Sequence, residues 1–129
     1  MTDKKKKVFL VEDDVAITDI YGTMIKKAHY DVDIMASGQE AMKKVKAIQA
    51  GEEGAPDIVL LDLILPDMNG TDILAAFKQH DATKNIKVFI LTNQEESEMP
   101  ETSFKPDKFI IKANITPTQL LELIKEQLQ

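Results

Sequence analysis

The sequence predicts an α/β fold: an open, doubly wound, five-stranded parallel sheet flanked by helices. Three observations carry this. Five short apolar runs recur along the chain, most of them unbroken and rich in β-branched residues. That is how strands buried on both faces read, as in a parallel sheet covered by helices. Segments with helical spacing separate the runs, and such alternation favours right-handed crossovers within one sheet. Finally, 129 residues supply enough chain for one domain, and a second would be starved of core.

The elements follow in order. Val8-Phe9-Leu10-Val11 is the first strand. Ile17, Ile20, Tyr21, Met24, Ile25 and Ala28 then recur at i, i+3, i+4 and i+7, the stripe of an amphipathic helix. Val32 to Met35 is the second strand. Ser37, with Glu40 three residues on, is a capping-box pattern opening the stripe Ala41, Met42, Val45 and Ile48. Ile58-Val59-Leu60-Leu61 is the third strand, and Ile73, Leu74 and Phe77 form a stripe after the turn Asn69-Gly70. Val88-Phe89-Ile90-Leu91 is the fourth strand. The segment from Asn93 to Asp107 is the exception. It carries Glu95, Glu96, Glu98 and Glu101, has only Met99 and Phe104 as large apolar anchors, and is interrupted by Pro100 and Pro106. A short helix over 94–98 followed by a loop is expected, so the fourth helix is shortened or irregular. Phe109-Ile110-Ile111 is the fifth strand. Thr116-Pro117-Thr118-Gln119 places a capping residue before a proline at the first helical position, ahead of Leu120, Leu121, Ile124 and Leu128.

Composition excludes several classes. Hydrophobic residues make up 43% and charged residues 29%, a globular rather than a disordered balance. With no cysteine, a disulfide scaffold and a cysteine zinc site are excluded, which agrees with a cytoplasmic setting. No apolar run approaches the roughly 20 residues that cross a bilayer, and none before Glu12 and Asp13 is long enough for a signal peptide. The net charge of -6 argues against direct nucleic-acid binding, so the lysines at the N-terminus read as a solvated basic tail over residues 1–6. A single domain over residues 1–129, with no output domain, is expected.

In an open α/β sheet the ligand site lies at the carboxyl ends of the strands. Those ends hold Glu12 and Asp13, Asp62, Thr92 and Lys112. Two carboxylates ~4 Å apart repel by about 4 kcal/mol at an effective dielectric of about 20. Either a pKa rises or a cation enters, and with oxygen donors alone a hard ion such as Mg²⁺ is the natural choice. A metal, an ammonium and a hydroxyl around one carboxylate make a receptor for a phosphoryl group. A carboxylate can itself attack phosphorus to give an aspartyl phosphate.

These residues resemble the receiver domain of two-component response regulators, of the stand-alone, chemotaxis-regulator-like kind. The resemblance rests on Val8 to Asp14, on Asp62-Leu63-Ile64-Leu65-Pro66-Asp67-Met68-Asn69-Gly70 with its Pro-x-Met-x-Gly turn, on Ile90-Leu91-Thr92 and on Phe109-Ile110-Ile111-Lys112. It implies a flavodoxin-like (βα)5 fold and a phosphoryl group accepted by Asp62 from a histidine kinase or phosphotransfer protein. It also implies Mg²⁺ held by Glu12, Asp13, Asp62 and the backbone carbonyl of Ile64, with Thr92 and Lys112 contacting the phosphoryl oxygens. Thr92 and Phe109 would form the switch that changes affinity for a downstream effector protein. The family's helical contact five residues after its direct ligand falls here on Thr18, which favours Glu12 and Asp13 as the acidic pair and leaves Asp14 as a helix-start residue. The family's usual output face includes the segment carrying Glu95, Glu96, Glu98 and Glu101, which suggests a basic partner.

The sequence departs from the family in three places. Ala113 stands where a cis proline usually follows the lysine, so the Lys112–Ala113 peptide is either trans or strained. The interval from Thr92 to Lys112 is about two residues short. Ile64, two residues after Asp62, is apolar and lies beside the path of attacking water, where it would slow phosphate loss. The alternative is a receiver-fold interaction module that acts without phosphorylation. A haloacid-dehalogenase-type phosphatase would need an aspartate at Ile64, and a flavin carrier would not place Glu12-Asp13-Asp14 beside a phosphate.

Overall fold

A computed structural model describes residues 5–100, 102 and 104–129. Residues 1–4 of the expected basic tail and Glu101 of the acidic segment lie outside the described residues.

The strands are β1 (Lys7–Val11), β2 (Asp31–Met35), β3 (Ile58–Leu61), β4 (Lys87–Thr92) and β5 (Lys108–Ile111). All pairs are parallel, in the order β2-β1-β3-β4-β5. The helices are α1 (Val15–Lys27), α2 (Gly38–Gln49), α3 (Gly70–Lys78) and α4 (Pro117–Leu128). Successive strand residues point to opposite faces, so an unbroken apolar strand feeds two cores. Phe9 and Val11 of β1 pack with Val59, Leu61, Val88 and Ile90 beneath α2 and α3. Val8 and Leu10 pack with Ile58, Leu60, Phe89 and Leu91 beneath α1 and α4. The central strands β1 and β3 are therefore buried almost throughout. Edge strand β2 is not: Ile34 is 45% exposed, and Asp31 and Asp33 flank Val32. On α1, Ile20 also departs from the expected buried stripe, at 55% exposed.

The helix starts follow the sequence signals. Asp14, Ser37, Asn69 and Thr116 each accept a backbone N–H of the first turn they cap. Helices α1 and α2 end alike. His29 N–H donates to Lys26 and Tyr30 N–H to Ile25, just as Gly51 N–H donates to Ile48 and Glu52 N–H to Ala47. This double bond pattern needs a left-handed residue, supplied by His29 at φ 70° and Gly51 at φ 77°. His29 thus forms the turn that closes α1.

The segment between β4 and β5 is irregular, as expected, and its helical part is shorter still than 94–98. Instead of a short helix over 94–98 there is one 3₁₀ turn, Glu96–Glu98. Met99 and Phe104 beyond it pack as half-buried anchors on the α2–α3 core. Two anchors and two prolines hold a strap but cannot nucleate a helix.

Candidate functional site

The strand ends bring the predicted residues together. Glu12 follows β1, where its N–H donates to Met35 of β2, and Asp62 follows β3, where its N–H donates to Val11 of β1, both at 3.0 Å. Lys112 opens a 3₁₀ turn, Lys112–Asn114, directly after β5. Its ammonium reaches back across the sheet to Glu12 Oε1 and to Asp62 Oδ2, the latter at 3.1 Å. Carboxylate oxygens of Glu12, Asp13 and Asp62 lie within 4.8 Å of one another. Thr92 ends β4 fully buried, its Oγ1 accepting from the Gln94 N–H at 3.4 Å. Glu12, Asp13, Asp62, Ile64, Thr92 and Lys112 all line one open cleft of about 390 Å³. The Lys112–Ala113 peptide is trans, which resolves the alternative left by the absent proline.

The electrostatics are asymmetric. Glu12 is 2% exposed, and burial, reinforced by Asp62 and opposed by Lys112, pushes its carboxyl up to about 7. Burial also acts to raise Asp62, but hydrogen bonding with Glu12, the Lys112 ammonium and the Ile64 N–H outweigh it and hold Asp62 below the usual carboxylate range. A proton added to this pair therefore goes to Glu12, and Asp62 stays ionised. Lys112 is desolvated too, yet Glu12 and Asp62 hold its ammonium above the usual lysine value. Glu12 Oε2 is buried with no hydrogen-bond partner. An orphaned carboxylate oxygen among three acidic groups fits a hard cation.

Comparison with known proteins agrees with the fold. Residues 8–125 match the response regulator receiver domain. The chain belongs to that family. A solved CheY-like receiver domain from Methanospirillum hungatei is 30% identical, with a TM-score of 0.79 over 97% of this chain and 94% of the other. The phosphorylated cyanobacterial phytochrome response regulator RcpA is 27% identical, with a TM-score of 0.78 over 95% of this chain and 91% of the other. The DNA-binding response regulator MtrA of Mycobacterium tuberculosis is 25% identical over 97 residues, 75% of this chain and 39% of the relative. The chain thus spans about two fifths of that curated relative. The protein is a receiver domain of two-component signalling, and no helix among its described residues is long and apolar enough to cross a membrane.

Within the receiver, two of the expected residues sit apart from the cleft. Thr18 on α1 donates its hydroxyl to the Val15 carbonyl at 3.0 Å. Phe109 is half-buried against the α2–α3 core and separates two surface hollows, one toward Met99 and Phe104 and one toward Ile115 and Leu123. Ile64 is 58% exposed at the cleft mouth and donates its N–H to Asp62 Oδ1 at 3.2 Å. The sequence reading missed the support beneath Asp62. A Cβ on Gly70 would stand 2.3 Å from the Asp62 carbonyl oxygen, so only glycine lets α3 start this close. The glycine of the Pro-x-Met-x-Gly turn was the signal available for it.

Proposed function

We propose that this receiver accepts a phosphoryl group on Asp62 in a Mg²⁺-dependent reaction and then changes its affinity for a partner protein. The observation that carries the proposal is the Lys112 ammonium bridging Glu12 and Asp62 beside the unpartnered Glu12 oxygen. Glu12, Asp13, Asp62 and the Ile64 carbonyl would hold the ion, which when bound would offset the charge gathered on the phosphoryl oxygens. Asp62 stays ionised and so keeps a lone pair for phosphorus. As its oxygen bonds to phosphorus, the bond from phosphorus to the donor's leaving atom breaks, and the donor departs with that electron pair. Lys112 then releases Asp62 as an ion-pair partner and engages a phosphoryl oxygen. The Thr92 hydroxyl supplies a further hydrogen bond, and Phe109 follows the movement of β4. Ile64 shields the mouth and slows hydrolysis.

The donor is a histidine kinase or phosphotransfer protein, and the readout is a downstream effector protein in a cytoplasmic setting. MtrA is a DNA-binding protein by name, but the acidic balance of these residues argues against nucleic acid as their direct partner. The test is intact-protein mass after mixing with Mg²⁺ and a small-molecule phosphodonor, beside Asp62→Asn. One added phosphoryl group is expected, lost without Mg²⁺ and lost in the variant. No adduct and no Mg²⁺ binding would turn the reading to the phosphorylation-independent interaction module.

A further inference from the structure

Asp62 and Ile64 stand at the root of a loop whose tip is tied to another helix. At the root, Gly70 N–H donates to the Leu63 carbonyl at 2.7 Å, and Ile64 and Asn69 form an antiparallel bridge. The chain between them is a tight turn with Pro66, Asp67 and Met68 at its tip. There the Asp67 carboxylate accepts the Gly38 N–H on Oδ1 and the Gln39 N–H on Oδ2, each at 2.8 Å. These are the first two amides of α2, which have no partner within their own helix. Met68 lies so close to Gly38 that a Cβ there would stand 2.1 Å from its Cγ. Two contacts of different kinds therefore fasten one tip to one helix end.

We propose that Asp67 is a positioning residue: by clamping the loop tip to the start of α2 it fixes the Ile64 backbone and the Asp62 carboxylate in the geometry that binds metal. Its effect on metal rests on the function proposed above, while its effect on the loop does not. The carboxylate suits the task because each of its two oxygens takes one amide, and charge-assisted bonds are stronger than neutral ones. The Gly38 amide, followed by that of Gln39, holds the Asp67 carboxyl below its ordinary range, so the clamp persists through neutral pH. Without it, the bridge at the root would be left to hold a loop whose mouth residue, Ile64, is mostly exposed.

The experiment compares Asp67→Ala, Asp67→Asn and Ser37→Ala by amide hydrogen exchange and by Mg²⁺ titration. Ser37 caps the same helix through the Glu40 N–H but does not bond the loop, so its variant weakens α2 alone. Asp67→Ala should speed exchange of the Ile64 and Gly70 amides and weaken Mg²⁺ binding by about tenfold, the scale of a lost supporting contact around a metal site. Asp67→Asn, which keeps one acceptor oxygen, should fall between. Ser37→Ala should leave both readouts at native values. Native-like loop exchange in Asp67→Ala, or equal changes in Ser37→Ala, would overturn the clamp. A native protein that binds no Mg²⁺ would overturn the metal reading instead, and the exchange rates would still decide the fastening.

Discussion

Glu12 holds its proton far more tightly than an exposed glutamate because burial penalises its charge and Asp62 stands beside it. A cation must displace that proton. Mg²⁺ affinity is therefore predicted to be highest above about pH 7 and to fall by about tenfold per unit below it, since one proton is taken up as one ion leaves. Calorimetric titration across that range checks this, and Glu12→Gln should flatten the dependence while weakening the binding. Linkage sets the stability of the metal-free protein. The folded value lies above the ordinary 4.5, so Glu12 contributes stability that is full below 4.5 and lost as pH rises through about 7. Thermal melts should show Mg²⁺ stabilising the protein most at the alkaline end. The set of carboxylates was legible in the sequence because strand ends and acidic residues coincide. Which of them keeps the proton was not, because Glu12 and Asp13 are neighbours in the chain yet one is buried and the other exposed.

Elements join through a few backbone positions that tolerate little change. At Gly70 an added Cβ would meet the Asp62 carbonyl oxygen at 2.3 Å and Leu63 Cα at 2.8 Å, both backbone atoms that cannot rotate away. Gly70→Ala should cost about 1–3 kcal/mol in urea unfolding and displace Asp62, so phosphorylation should slow by more than the stability loss explains. His29 is the opposite case. It carries a left-handed φ of 70° with a side chain that gains nothing there, whereas α2 uses Gly51 for the same turn. His29→Gly should stabilise the protein by about 1 kcal/mol, read as a higher melting temperature. Helix starts were legible because each capping side chain and its amide lie within three residues. The strap between β4 and β5 was half legible. Its prolines and glutamates forbid a long helix, but its resting place depends on Met99 and Phe104 finding the α2–α3 core, a contact no local pattern encodes.

For the molecule as a whole, class and order were legible because β1, β3 and β4 are buried on both faces and so read as unbroken apolar runs. Edge strand β2 shows the limit of that signal, since Ile34 lies outside both core clusters and is largely open to solvent. The meeting of Lys112 with Glu12 was legible from the strand ends, whereas the contact of Asp67 with the start of α2, far apart in the chain and away from any strand end, was not. Asp107 makes another distant contact, and it ties three elements. Its Oδ2 accepts the Val88 N–H of β4 and the ammonium of Lys78 at the end of α3, both at 2.8 Å, at the threshold of β5. Burial acts to raise this carboxyl, but Lys78, the Val88 amide and Lys87 outweigh it and hold it below the ordinary 3.8. A group depressed in the folded state contributes stability above its unfolded value and loses it as pH falls through the folded one. Asp107→Asn should therefore destabilise by about 1–2 kcal/mol at neutral pH, after discounting for a side chain that is 27% exposed. The deficit should shrink steadily below pH 3.8 as the native carboxyl protonates. Urea unfolding of both proteins from pH 7 downward measures the convergence, and a deficit that persisted in acid would mean that Asp107 acts through shape rather than charge.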